Sequence, residues 1–206
     1  PLSEEIGLIV PIGAWVLEEA RRAAATWPVP LKIAVNLSPI QFRDRGLVHV
    51  ISAALACSEL APERLELEIT EAALLDQGEE TMEILYQLRE LGVRIAMDDF
   101  GTGYSSLNYL QSFPFDRIKI DRSFVSDIAH STISANIVRA VIALAKGLGM
   151  SVTAEGVETP EQRSALAAEG CAEMQGNLFS EPVPCEKIEA LLHHKGHWPD
   201  HRQSAA

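Results

Sequence analysis

Residues 65–98 read LELEITEAALLDQGEETMEILYQLRELGVRIAMD, and this stretch decides the fold. The first six residues alternate apolar and polar side chains, the period of an extended strand. Residues 79–91 then space their apolar side chains as one face of a helix, and 93–98 return to a β-rich run. Strand, helix and strand in so short a span predict a parallel pair joined by a right-handed crossover.

The same alternation extends in both directions. Further strands are expected at 31–37, 116–121, 151–155 and 173–175, and further helices at 11–26, 41–58, 135–148, 160–169 and 185–193. Successive strand starts lie 34, 28, 23, 35 and 22 residues apart, the size of a βα unit, so six units are visible. This spacing suits both an open doubly wound sheet and a (β/α)8 barrel. Asn36-Leu37-Ser38-Pro39 follows the first strand where a glycine-rich dinucleotide fingerprint would favour the open sheet.

Composition narrows the function. The chain has 206 residues, 47% hydrophobic, with 17 Lys+Arg against 29 Asp+Glu, a net charge of −12. That field argues against a protein held on nucleic acid or anionic lipid mainly by charge, so no DNA binding is expected. No apolar run approaches the roughly 20 residues that span a bilayer, and no secretory pattern opens the chain, so a cytoplasmic location is expected. Cys57, Cys171 and Cys185 are too few and scattered for a disulfide framework.

Asn36, Glu68, Asp98, Lys119, Glu155 and Gln175 all fall at or near the C-terminal ends of their expected strands, where barrel active sites are built, and parity puts Asn36, Glu68, Lys119 and Glu155 on the polar faces of theirs. Glu68, Asp98, Asp99 and Glu155 at one mouth would repel one another unless positive charge sat among them. Carboxylates with the Asn36 amide oxygen form an all-oxygen set that suits Mg²⁺ or Mn²⁺ better than zinc. Two such ions could serve phosphodiester hydrolysis.

Six motifs occur in order: Asn36-Leu37-Ser38-Pro39, Glu66-Leu67-Glu68-Ile69-Thr70-Glu71, Asp98-Asp99-Phe100-Gly101-Thr102-Gly103-Tyr104-Ser105-Ser106, Lys119-Ile120-Asp121-Arg122-Ser123-Phe124, Ala154-Glu155-Gly156-Val157-Glu158 and Gln175-Gly176. Together they closely resemble the EAL-domain family of cyclic di-GMP phosphodiesterases over about residues 1–193. The resemblance implies a modified TIM (β/α)8-type barrel, here strands 3 to 8 with their helices, that hydrolyses cyclic di-GMP to linear pGpG with two Mg²⁺ or Mn²⁺ ions. By matching motif, Asn36, Glu68 and Asp98 would bind the first metal and Asp99 the second. Lys119 would hold the attacking water or offset phosphate charge, Glu155 would be metal ligand or general base, and Gln175 would contribute to the water or metal shell. Residues 99–106, with Gly101, Thr102 and Gly103, resemble a mobile loop over the metals, Glu71 its anchor. Glu158 would be a partner behind Glu155 or a solvated acid. Asp121 would support the site or only cap a helix.

The family's namesake Glu-Ala-Leu belongs to its first barrel strand, and none of the β runs here carries it. Residues 1–9 resemble the segment after the second strand. The expectation is an N-terminally truncated domain over 1–193, impaired alone, with a disordered tail at 194–206; His193, His194, His197 and His201 lie near Trp198, and a clustered-His metal site is the competing reading of this end of the chain. Equal turnover by this chain and an N-terminally extended one would overturn that expectation. The resemblance also implies a possible homodimer and an N-terminal sensory or GGDEF-type domain in the parent protein, although no diagnostic dimer patch is visible. A cyclic di-GMP receptor without turnover is the competing function; an interaction module has no specific support.

Overall fold

The computed structural model describes residues 2–28, 30–44, 46–57, 60–75, 78–102 and 107–193. Two compact units divide the chain, residues 1–118 and 119–206. Among the described residues six strands follow one another in the order β1 to β6. An open doubly wound sheet reverses its strand order at a switch point, whereas barrel strands run in sequence. The strictly sequential order therefore supports the (β/α) barrel type that strand spacing left open.

The first unit contains α1 (Leu2–Glu5), α2 (Ile9–Ala25), β1 (Ile33–Leu37), α3 (Leu47–Ala56), β2 (Leu65–Thr70), α4 (Glu71–Leu75), α5 (Gly78–Glu90), β3 (Arg94–Phe100) and α6 (Leu107–Ser112). β1 pairs with β2 and β2 with β3, both in parallel. Leu67, Ile69, Ile95, Met97 and Ile118 are wholly buried. At roughly 1.5–3 kcal/mol per fully buried large apolar side chain, this packing is a principal source of stability. The expected single helix at 41–58 is instead a 3₁₀ turn, Pro39–Arg43, followed by α3. The break lies at Asp44, whose backbone is extended and whose carboxylate accepts the Gly46 N–H at 2.9 Å. That side-chain turn competes with helical continuation.

β4 (Arg117–Ile120) runs across the unit boundary. The second unit continues with α7 (Arg122–Val125), α8 (Thr132–Gly147), β5 (Ser151–Ala154), α9 (Pro160–Ala168), β6 (Glu173–Met174) and α10 (Cys185–His193). β5 and β6 pair in parallel, and the Glu155 N–H donates to the Ile120 carbonyl at 3.1 Å. A Glu-Ala-Leu tripeptide does occur, at 189–191, but it lies within helix α10 rather than on a strand. The expected tail at 194–206 lies outside the described residues. No helix among those described is long and apolar enough to cross a membrane.

Candidate active site

In the first unit, strand register brings the candidate ligands onto one sheet face. Asn36 is the Cα partner of Glu68 on β1 and β2, and Glu68 is the partner of Ala96 on β3. Asp98 lies two residues beyond Ala96 and therefore shares its face. Glu68 and Asp98 are buried at 7% and 8% exposure, whereas Asn36 is exposed. Neighbouring strands are about 4.8 Å apart, so the register makes these side chains lateral or diagonal neighbours. Their oxygen donors fit a hard divalent cation.

β3 runs two residues past the expected end, to Phe100. Asp99 has φ 54°, a left-handed conformation that few residues other than glycine, asparagine and aspartate accept readily. Its N–H donates to the Asp98 carboxylate at 3.0 Å, while its carbonyl accepts the Thr102 hydroxyl at 2.8 Å. Glu71 begins α4 and is buried; its Oε2 accepts the Gly101 N–H at 3.3 Å, tying the turn after β3 to the end of β2. Glu71 Oε1 is buried without a hydrogen-bond partner in the described structure. Gly101 and Thr102 are exposed. Gly103 and Tyr104 lie outside the described residues.

The same unit contains a buried ion pair that strand parity alone does not identify. Arg117 Nε lies 2.9 Å from Glu66 Oε1 and 3.2 Å from Oε2, with both side chains less than 10% exposed. The pair reaches from β4 to β2 across β3. Contacts between alternate strands are how barrel interiors form their layers.

The second unit brings Lys119 and Glu155 together. Lys119 is buried on β4, and its Nζ stands 2.6 Å from Glu155 Oε1 on the half-buried turn after β5. Gln175 follows β6; its N–H donates to the Ala154 carbonyl at 2.8 Å, placing its backbone beside Glu155, although its side chain is exposed. Glu158 is exposed, and the structure does not place it against the Lys119–Glu155 pair.

Asp121 caps α7, its carboxylate accepting the Ser123 N–H at 3.0 Å. Burial pushes this carboxyl up, but hydrogen bonds from Ser123 and Arg122 and the Arg122 charge outweigh burial and hold it below its ordinary value. A depressed folded-state pKa contributes stability above the unfolded value, near 4, and that contribution is lost as pH falls through the folded value. Asp121→Ala is therefore expected to cost about 1 kcal/mol at neutral pH. Denaturant melts should show this difference shrinking below roughly pH 4.

Gly176 supplies the close approach behind Gln175. A Cβ built there would stand 2.2 Å from the Val157 carbonyl oxygen and 2.3 Å from its nitrogen. The Val157 N–H donates to Gln175 and its carbonyl accepts the Leu178 N–H, both at 3.0 Å. Backbone cannot rotate aside as a side chain can. Gly176→Ala is expected to destabilise the chain by about 1–3 kcal/mol in thermal unfolding.

The EAL domain profile matches residues 1–182. MucR of Pseudomonas aeruginosa, named a bifunctional diguanylate cyclase/cyclic di-GMP phosphodiesterase, is 45% identical over 196 residues, covering 93% of this chain and 29% of that protein. A structure of PaMucR phosphodiesterase in complex with c-di-GMP has TM-score 0.87 at 45% identity, covering 91% of this chain and 78% of that one. Klebsiella pneumoniae BlrP1, in a manganese/cy-diGMP complex, has TM-score 0.77 at 32% identity, covering 85% and 44% respectively. The chain spans less than a third of the curated relatives' length. The ordered motifs, the sequential βα strands and a profile match over most of the residues converge on one conclusion: this chain belongs to the EAL domain family.

Proposed function

We propose that this chain provides the hydrolytic domain of a cyclic di-GMP phosphodiesterase that releases linear pGpG. The observation that carries the reading is the Lys119–Glu155 contact at 2.6 Å in a family whose relatives are named for this activity. Asn36, Glu68, Asp98 and Asp99 would hold two Mg²⁺ or Mn²⁺ ions; BlrP1 has been solved as manganese/cy-diGMP and calcium/cy-diGMP complexes. When bound, divalent cations lower the pKa of water and stabilise charge developing on phosphoryl oxygens.

The chain's own groups divide the remaining work. Glu155 accepts a proton from the attacking water or completes the ligand set, and Lys119, held against it, offsets negative charge on the phosphate. Gln175 orients the water. Glu71 holds the turn at Gly101, which borders Asp98 and Asp99, while Asp121 sets the start of α7 after Lys119. For the whole protein, cytoplasmic location, homodimerisation and an attached sensory or GGDEF-type domain are part of the same proposal; MucR's bifunctional name supports the domain pairing.

The test is pGpG release from cyclic di-GMP by the whole protein, followed by chromatography with and without Mg²⁺ or Mn²⁺. Metal-dependent release that a chelator stops is expected. Saturable binding without release at any concentration of either metal would assign a receptor instead.

A further inference from the structure

Gln162 makes contacts beyond those needed to begin its own helix. It lies on α9 and is only 8% exposed. Its Oε1 accepts the Glu158 N–H at 2.7 Å and the Thr159 N–H at 3.0 Å. In return, the Thr159 hydroxyl accepts the Gln162 N–H at 3.2 Å, completing a capping box. The other end of the amide serves a different element: Nε2 donates to the Ser126 carbonyl, 36 residues away, at 3.0 Å. Ser126 is the C-cap of α7, where helix carbonyls require partners from outside.

One side chain thus bridges the turn carrying Glu155 and the segment following Lys119. The two backbones meet tightly. Gly156 has φ +67°, and a Cβ there would stand 2.4 Å from the Arg122 Cβ. At the turn's start, the Glu155 N–H donates to Ile120; in its middle, Val157 joins Gln175 and Leu178. Gln162 closes its far end. Glutamate in the same position could keep the acceptor contacts to 158 and 159 but, when ionised, would turn carboxylate oxygen toward the Ser126 carbonyl.

We propose that Gln162 is a positioning residue for the hydrolysis, locking the 155–159 turn to the end of α7 and thereby seating Glu155 against Lys119. The inference rests on the phosphodiesterase reading for its effect on rate, while its structural effect is measurable independently. Gln162→Glu in the whole protein separates the two roles because it retains a capping-box side chain. The expected result is a melting temperature close to wild type, a kcat lower by about tenfold or more, little change in KM, and faster hydrogen exchange at the Glu155 and Val157 amides. Gln162→Ala should show the same loss of kcat with a lower melting temperature, since the cap is also lost.

Wild-type kcat and wild-type exchange in Gln162→Glu would overturn the proposal and leave Gln162 as a helix cap. Loss of kcat solely in proportion to unfolded protein in both variants, with normal exchange in the folded fraction, would overturn it as well. If the wild-type protein releases no pGpG, the phosphodiesterase reading fails; exchange at 155 and 157 then decides whether Gln162 locks the turn.

Discussion

Asp98→Asn is expected to lower metal-dependent pGpG release by the whole protein about 1,000-fold while leaving the fold intact. The substitution retains side-chain shape and removes the charge. Asp98 is buried at 8% exposure on the face shared with Asn36 and Glu68, so a lost carboxylate there cannot easily be replaced by bulk solvent. Metal stabilisation of phosphoryl charge contributes several kcal/mol, and forfeiting about 4 of them corresponds to roughly three powers of ten in rate. Higher Mn²⁺ should recover part of the rate if the defect is ion occupancy. Glu90→Gln, at an exposed position on α5, is the matched charge change and should retain wild-type turnover. An Asp98→Asn protein within a fewfold of wild type would remove Asp98 from the proposed ligand set.

The largest stability effect is expected at Arg117. Arg117→Met leaves Glu66 buried without the guanidinium held 2.9 Å away. Breaking a buried pair from one side costs about 3–5 kcal/mol because the remaining charge stays desolvated. Against a domain stability of roughly 5–15 kcal/mol, that is a large fraction. Melting should fall by on the order of 6–20 °C, taking about 2–4 °C per kcal/mol for a chain of this size. The double variant Glu66→Met/Arg117→Met removes both charges and should regain most of the loss. A single variant costing under about 1 kcal/mol would show that water reaches the orphaned carboxylate.

The repeating architecture was legible because strand and helix periods alternate over long enough runs to see. The expected strand at 65–70 coincides with β2, and the expected helix at 185–193 with α10. The short helices α4, α6 and α7 are four to six residues long and offer too little sequence for a 3.6-residue period to emerge. Asp121's cap could be anticipated from residue type, but Glu66's partner could not, since Arg117 is 51 residues away and reaches it across another strand.

For the candidate site, motif order identified residues whose arrangement periodicity could not supply. Parity puts Asn36 and Glu68 on the polar faces of their strands and position puts Asp98 near the end of its own; register aligns all three on one sheet face. The Lys119–Glu155 contact requires two strands to meet and has no local sequence signature. Thr159-Pro160-Glu161-Gln162 does contain a recognisable capping-box pattern, but its second attachment, to Ser126, appears only in three dimensions.

The left-handed backbone at Asp99 also biases the route by which such a domain can drift. Aspartate codons are one base change from asparagine and from glycine, two residues that accept this conformation with little steric conflict. Valine is also one base away, yet its branched side chain disfavors the same turn. Mutation can therefore erase the carboxylate while sparing the bend, and a lineage that has stopped catalysing could retain its architecture with asparagine or glycine at position 99.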